Sequence, residues 1–273
     1  MEAVVLAGGF ATRLYPLTLN TAKPLLDVAG KPAIAHILER LFPLAGRGLT
    51  GIVVVVPEKF ASDFRTTLAR PRSASTELAG DSPSGSPEVS GVASWPVPVH
   101  IVSNGAMTVE QKLGAVGDMA WGVRSLSGNG PFWVLAGDNL FDFELDGAAA
   151  RFEEADCRPL VVTHRLAMPA DTRLYNNIRL SPEGFITEFV EKPKEPWSPL
   201  FATCMYLFPR RIIGRLEQFL AEGNDPDRAG DFVRWLFSRE EVVTFEPGGT
   251  WFDIGSVQEL EEASRFFAGG THD

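Results

Sequence analysis

Cysteine is nearly absent from this chain of 273 residues: only Cys157 and Cys204 occur. They stand alone and far apart, so they support neither a disulfide framework nor a metal cluster, and they fit a reducing cytoplasm. No run approaches the roughly 20 apolar residues needed to span a bilayer, so no membrane partner is expected. The N-terminus lacks a basic region and Ala3 to Ala7 already reads as a strand, so no secretory leader is expected. Positive charge is in deficit. The formal net charge of −10 argues against a nucleic-acid partner, which would normally need a basic face. A small anionic ligand remains compatible, because a local group of Arg and Lys can bind phosphate inside an acidic protein. Lysine is scarce, with six residues, a bias shared by GC-rich genomes and salty cytoplasms. His36, His100, His164 and His272 share no metal-ligand spacing. There is no internal repeat and no heptad pattern.

At 45% hydrophobic and 22% charged residues the composition is that of a globular protein able to bury a substantial core. The length suits one domain, 1–273. Its first half alternates strands and helices. Ala3–Ala7, Gly51–Pro57, Val97–Val102 and Phe132–Ala136 are apolar runs that read as buried strands. Lys31–Leu44, Glu58–Ala69 and Gly114–Ser125 read as helices. That alternation predicts βαβ units and an α/β fold: a mixed, mostly parallel, Rossmann-like sheet flanked by helices. Residues 71–96 shift to Ser, Pro, Gly and Ala and read as a long surface insertion. The second half carries strands at Leu160–His164, Ile178–Leu180, Phe185–Val190 and Thr203–Phe208, with Ser181-Pro182-Glu183-Gly184 as a hairpin turn. Helices are expected over Arg210–Glu222, Asp231–Phe237 and Val257–Phe267. Trp95, Trp197 and Trp235 read as packing residues rather than base platforms.

The most specific segment is Leu6-Ala7-Gly8-Gly9-Phe10-Ala11-Thr12-Arg13-Leu14-Tyr15-Pro16-Leu17-Thr18, followed by Lys23-Pro24-Leu25-Leu26 and Gly30-Lys31-Pro32. A glycine-rich loop directly after a buried strand lets backbone N–H groups approach phosphate oxygens, and Arg13 and Lys23 add two cations to the same region. The loop is neither GxGxxG nor GxxxxGK[ST], so neither a dinucleotide fold nor a P-loop is indicated.

This segment closely resembles the signature of the sugar-1-phosphate nucleotidyltransferases, the nucleoside-diphosphate-sugar pyrophosphorylases. The resemblance extends along the chain in the family's order: Leu113-Gly114-Ala115-Val116-Gly117, Leu135-Ala136-Gly137-Asp138-Asn139, Phe189-Val190-Glu191-Lys192-Pro193 and Trp251-Phe252-Asp253-Ile254-Gly255. It implies the nucleotide-diphospho-sugar transferase fold, with a nucleotide-binding half at 1–150 and a sugar-binding half at 151–273. It also implies a nucleoside triphosphate and a sugar 1-phosphate as substrates, Mg²⁺ as cofactor and a cytoplasmic enzyme; homo-oligomer formation is left open. By the same resemblance, Leu6, Gly8, Gly9, Thr12 and Gly114 would line the nucleotide. Arg13 would hold the leaving pyrophosphate and Lys23 the reacting phosphates. Lys192 would hold the sugar phosphate and Glu191 a sugar hydroxyl, with Asn176 and Thr203 also in the sugar pocket. Asp138 and Asp253 would bind magnesium.

Members with a C-terminal parallel β-helix need far more chain, so the expected match is to short thymidylyl-, uridylyl- and guanylyltransferases. Five positions depart from the family pattern. Ala11 and Cys204 replace glycines, Ala22 replaces a proline, and Tyr175-Asn176-Asn177 stands where Tyr-Gly-Val is common. Two other readings remain from the sequence alone. One is a catalytically silent homologue that binds a sugar nucleotide; the other keeps the chemistry but uses an acceptor such as phosphocholine.

Overall fold

Three of the most apolar segments, Glu2–Leu6, Ile52–Val56 and Phe132–Ala136, lie side by side as the centre of a seven-stranded sheet. The computed structural model describes residues 1–69 and 95–269, so most of the 71–96 insertion lies outside the described residues. In chain order the first half contributes β1 (Glu2–Leu6), β2 (Asp27–Val28), β3 (Lys31–Pro32), α1 (Ala33–Leu41), β4 (Ile52–Val56), α2 (Glu58–Ala69) and β5 (Val99–Ser103). Next come α3 (Ala115–Val123), β6 (Phe132–Ala136), β7 (Asn139–Phe141) and α4 (Asp146–Glu154). The rest is β8 (Leu160–Arg165), β9 (Asn176–Leu180), β10 (Ile186–Glu191), β11 (Leu200–Phe208), α5 (Ile212–Ala221), α6 (Ala229–Phe237), β12 (Val243–Phe245), β13 (Trp251–Asp253) and α7 (Val257–Phe267).

The sheet runs β12-β8-β11-β6-β1-β4-β5. Every neighbouring pair is parallel except the two made by β11, which is antiparallel to β6 and to β8. The sheet is therefore mixed and mostly parallel, and strands from both halves of the chain share it. Alternation along the strands divides the core into two layers. Ala3, Val5, Ile52, Val54, Trp133 and Leu135 face the layer covered by α1, α2 and α4. Val4, Leu6, Val53, Val55, Phe132 and Val134 face the layer covered by α3, α5 and α6. Strands buried on both faces need apolar residues at successive positions, which is why these segments read as unbroken runs.

The turn Ser181–Gly184 joins β9 to β10 as an antiparallel hairpin, and the Gly184 N–H bonds to Ser181 O. Helix α4 is an element the sequence pattern misses: its buried face is only Ala148, Ala149 and Phe152. The tryptophans are packing residues. Trp95 packs on Phe42 and donates to Leu68 O, Trp235 packs among Phe219 and Phe232, and Trp197 lies beneath Arg179. Among the described residues, no helix is long and apolar enough to cross a membrane.

Candidate active site

The loop after β1 is shaped by short-range contacts. Ala11 takes up left-handed backbone angles (φ 47°, ψ 47°) and opens a single turn over Thr12–Leu14. The buried Thr18 hydroxyl donates to Ala11 O at 2.8 Å, closing the loop from its far end. An L-residue in this conformation carries strain that glycine avoids, which gives a physical reason for glycine to be common there. Lys31 pairs with Glu39 on α1, so the lysine of Gly30-Lys31-Pro32 is engaged at the base of a helix. Gly8 is packed so closely that a Cβ there would fall on the carboxylate of Asp118 and 2.9 Å from Asn104 Nδ2. At Gly114 (φ 78°) a Cβ would meet Pro226 O at 2.5 Å. The carbonyls of Pro226 and Asp227 accept from Val116 N and Ala115 N, so this close approach caps the start of α3.

The two aspartates implied as metal ligands are far apart in sequence, and one small ladder joins them. Asp138 follows β6 directly and leads into β7, which pairs antiparallel with β13 so that Asp253 lies opposite Asn139. Ile254 N also donates to Asp138 O at 3.2 Å. Lys23 Nζ is 2.8 Å from Asp138 Oδ2 and 3.6 Å from Asp253 Oδ1, so both carboxylates reach one ammonium. Burial alone would lower the Lys23 pKa, but the charges of Asp138 and Asp253 outweigh it and hold the group above its ordinary range. Asp253 is pushed up to about 6, first by burial and then by Asp138, with Lys23 pulling the other way.

A cavity of about 520 Å³ opens at the C-terminal ends of the parallel strands, where ligands bind in open α/β sheets. It brings together Leu6, Gly8, Gly9, Thr12, Arg13, Lys23, Gly114, Asp138, Lys192 and Asp253. The side chains of Arg13 and Lys192 make no hydrogen bond or ion pair among the described residues, and both residues are exposed. Glu191 is not in the cavity wall. Its carboxylate packs against Gly230 at the start of α6, and Oε2 is buried without a hydrogen-bond partner. Burial and then Asp231 raise its pKa, against the pull of Lys192, Arg228 and Arg234.

Asn176 and Thr203 do not line the cavity either. Both functions of the Asn176 amide are taken by Ala202, donating to its O at 2.9 Å and accepting from its N at 2.7 Å. The Thr203 hydroxyl donates to Val162 O at 2.7 Å. Neither side chain has polar capacity turned to the cavity, whereas neighbouring Cys204 does line it. Burial pushes the Cys204 thiol up to about 12, so it stays protonated.

Among the lining residues with no counterpart in the sequence reading are Arg228 and Asp118. Arg228 borders the cavity, exposed and with no side-chain hydrogen bond or ion pair among the described residues. It occupies the N-cap of α6 with no capping bond. A cation there opposes the helix dipole, where Ser, Thr, Asp or Asn would serve the helix better. That misplacement is the signal by which it could have been found. Asp118 is the second, on an otherwise apolar stretch of α3 whose neighbours Val116, Met119 and Ala120 are buried.

The chain belongs to the nucleotidyl transferase family, whose sequence model matches residues 2–269. Among curated relatives, the bifunctional protein GlmU of Methanocaldococcus jannaschii is 24% identical over 266 residues, covering 97% of this chain and 54% of that protein. The catalytic subunit beta of mannose-1-phosphate guanylyltransferase from Drosophila pseudoobscura pseudoobscura is 25% identical over 260 residues, covering 95% of this chain and 60% of the other. The chain thus spans a little over half the length of these relatives. Among solved structures, a Bacillus anthracis protein assigned as a glucose-1-phosphate thymidylyltransferase superposes with a TM-score of 0.76 at 21% identity, covering 100% of this chain and 97% of that one. A UDP-glucose pyrophosphorylase complexed with UDP-glucose gives 0.72 at 19% identity, with 99% of both chains covered. These two share the fold.

Proposed function

We propose that this chain transfers a nucleotidyl group from a nucleoside triphosphate to a sugar 1-phosphate, giving a nucleoside-diphosphate sugar and pyrophosphate. The observation that carries this reading is the lining of the cavity. The unpaired cations Arg13, Lys192 and Arg228 face it together with Asp138, Asp253 and a glycine loop. Its volume suits a small-molecule ligand. The printed names of the relatives point to the same chemistry.

In this reading an oxygen of the sugar phosphate forms a bond to the α-phosphorus. The bond from that phosphorus to the oxygen bridging to the β-phosphorus breaks, and the bridging oxygen leaves with pyrophosphate. No protein atom enters covalently, so the chain's work is positioning and charge neutralisation. Arg13, on the glycine loop, holds the departing pyrophosphate. Lys192 and Arg228 hold the acceptor phosphate. Lys23 keeps the two aspartates together and reaches a phosphate by exchanging one of those contacts. Glu191, outside the cavity wall and packed on Gly230, is assigned no contact with the sugar. Residues 1–150 supply most of the nucleotide side and 151–273 the acceptor side.

Asp138 and Asp253 fit a divalent cation. Their donors are all oxygen, they share one ammonium, and Asp253, raised first by burial and then by the charge of Asp138, lies beside negative charge that a cation would relieve. Among the described residues no group of three or more metal-ligating side chains forms. This matches Mg²⁺, which is commonly held by one or two carboxylates plus substrate phosphates. When bound, Mg²⁺ would neutralise phosphate charge beside these two residues.

The test is pyrophosphate release from a panel of triphosphates against a panel of sugar 1-phosphates, with and without Mg²⁺. Release is expected only with both substrates and the metal present. Nucleotide binding with no release for any pair would favour the silent homologue; release with phosphocholine but no sugar phosphate would replace the acceptor.

A further inference from the structure

Asp118 is a costly residue whose structural role is incomplete. It lies in the first turn of α3, only 4% exposed. Its Oδ1 accepts from Asn104 Nδ2 at 2.7 Å. The Asn104 amide is held in one orientation, because its own oxygen accepts from Ala106 N at 3.0 Å and its backbone N–H is bound to Val56 O. Asp118 Oδ2 lies against the Cα of Gly8 in the cavity wall and has no hydrogen bond among the described residues. Burial pushes the acid up to about 6, against the Asn104 bond, so it is still ionised at pH 7.5. A mostly buried carboxylate whose second oxygen opens to a cavity is costly to keep ionised, and such groups collect where a ligand completes them.

Its position says which part of a ligand that is. Helix α3 covers β1 and β4, whereas Asp138 ends β6 and Cys204 lies on β11, on the other side of β1. The glycine loop from β1 separates the two regions. Phosphates belong with Lys23 and the unpaired cations, and an ionised carboxylate with no cation beside it repels them. A neutral heterocycle with N–H donors meets no such repulsion.

We infer that Asp118 Oδ2 is the base-reading group for the triphosphate in the reaction proposed above, and that it selects guanine. The inference rests on that reading and deepens it. An ionised carboxylate only accepts hydrogen bonds. Guanine offers two adjacent donors, N1–H and the 2-amino group. Adenine and cytosine offer one amino group beside a ring nitrogen whose lone pair faces the carboxylate. Uracil and thymine offer N3–H flanked by two carbonyl oxygens that the carboxylate repels. Gly8 gives the base access to Oδ2, because any side chain there would cover that oxygen.

Initial rates with GTP, ITP, ATP, CTP and UTP, each with the same sugar 1-phosphate at pH 7.5, test this. GTP should give the highest kcat/KM. ITP, which keeps N1–H and lacks the 2-amino group, should fall by about tenfold, and UTP by about a hundredfold. Asp118→Asn, of the same shape, should lower kcat/KM for GTP by about 10- to 100-fold, mainly through KM, and change UTP little. Equal values for GTP and ITP in the wild type, or a preference for UTP, would overturn the assignment. So would an equal loss for every triphosphate in Asp118→Asn, the mark of a packing residue. Equilibrium titration with non-hydrolysable GTP and UTP analogues reads base preference without turnover. A GTP preference lost in the variant supports Asp118 even where no pyrophosphate forms, while pyrophosphate formation without base preference sinks Asp118 and leaves the transfer reading standing.

Discussion

Replacing Asp118 by Asn should make the ligand-free protein more stable at neutral pH while impairing its substrate selection. Burial raises the acid from its ordinary 3.8 to about 6. Because the folded pKa lies above the unfolded one, the fold prefers the protonated acid. The associated stability is fully present below about pH 4 and is lost as pH rises through about 6. By pH 8 the ionised group costs about 3 kcal/mol. An amide at this site removes that cost and keeps an oxygen to accept from Asn104, so little is lost in exchange. For a chain of this size about 2 °C of Tm accompanies each kcal/mol, which predicts a gain of roughly 6 °C at pH 8. Scanning calorimetry of both proteins at pH 4, 6 and 8 reads the difference directly. It should be near zero at pH 4 and grow with pH. A difference independent of pH, or a variant less stable at pH 8, would refute the reasoning, because the buried charge would then not be the source of the cost.

Asp138→Asn or Asp253→Asn should sharply lower kcat and raise the Mg²⁺ concentration for half-maximal rate, and the double change should cost less than the product of the two, since both serve one site; unchanged metal dependence in steady-state kinetics would separate these residues from the metal. Arg228→Ala should lower kcat/KM for the sugar 1-phosphate by about 10- to 100-fold, the loss of one charged hydrogen bond. Its melting temperature should hold, because Arg228 makes no capping bond; unchanged kinetics would remove it from the site. Asn176→Gly should cost about 2–4 kcal/mol through its two lost bonds to Ala202, without changing the ranking of sugar 1-phosphates. A changed ranking would return Asn176 to the pocket.

Wherever one element dictates its own residues, the chain could be read directly. Ile52–Val56 must be apolar throughout because both faces of the strand are buried, and Glu58–Ala69 places Phe60, Phe64 and Leu68 on one stripe. The glycine loop, too, is legible, since Ala7-Gly8-Gly9 follows a buried strand and Thr18 ties the loop over a short span. Short elements carry too few residues for a period to show, which is why β7 and β13 needed the structure, while α4 buries too small an apolar face to reveal one. The site depends on such elements: the β7–β13 ladder places Asp253 opposite Asn139 and both carboxylates on Lys23, and no local pattern encodes that pairing. Side-chain commitments are likewise tertiary. Asn176 carries the right chemistry for a hydroxyl, but a strand 26 residues away takes both ends of its amide. Arg228 stands where its own helix loses by the charge and Asp118 where burial opposes it, and only packing shows that both border one cavity. Sequence determines which hydrogen bonds and charges a residue can offer; the chain's long-range packing decides which of them remain free for a ligand.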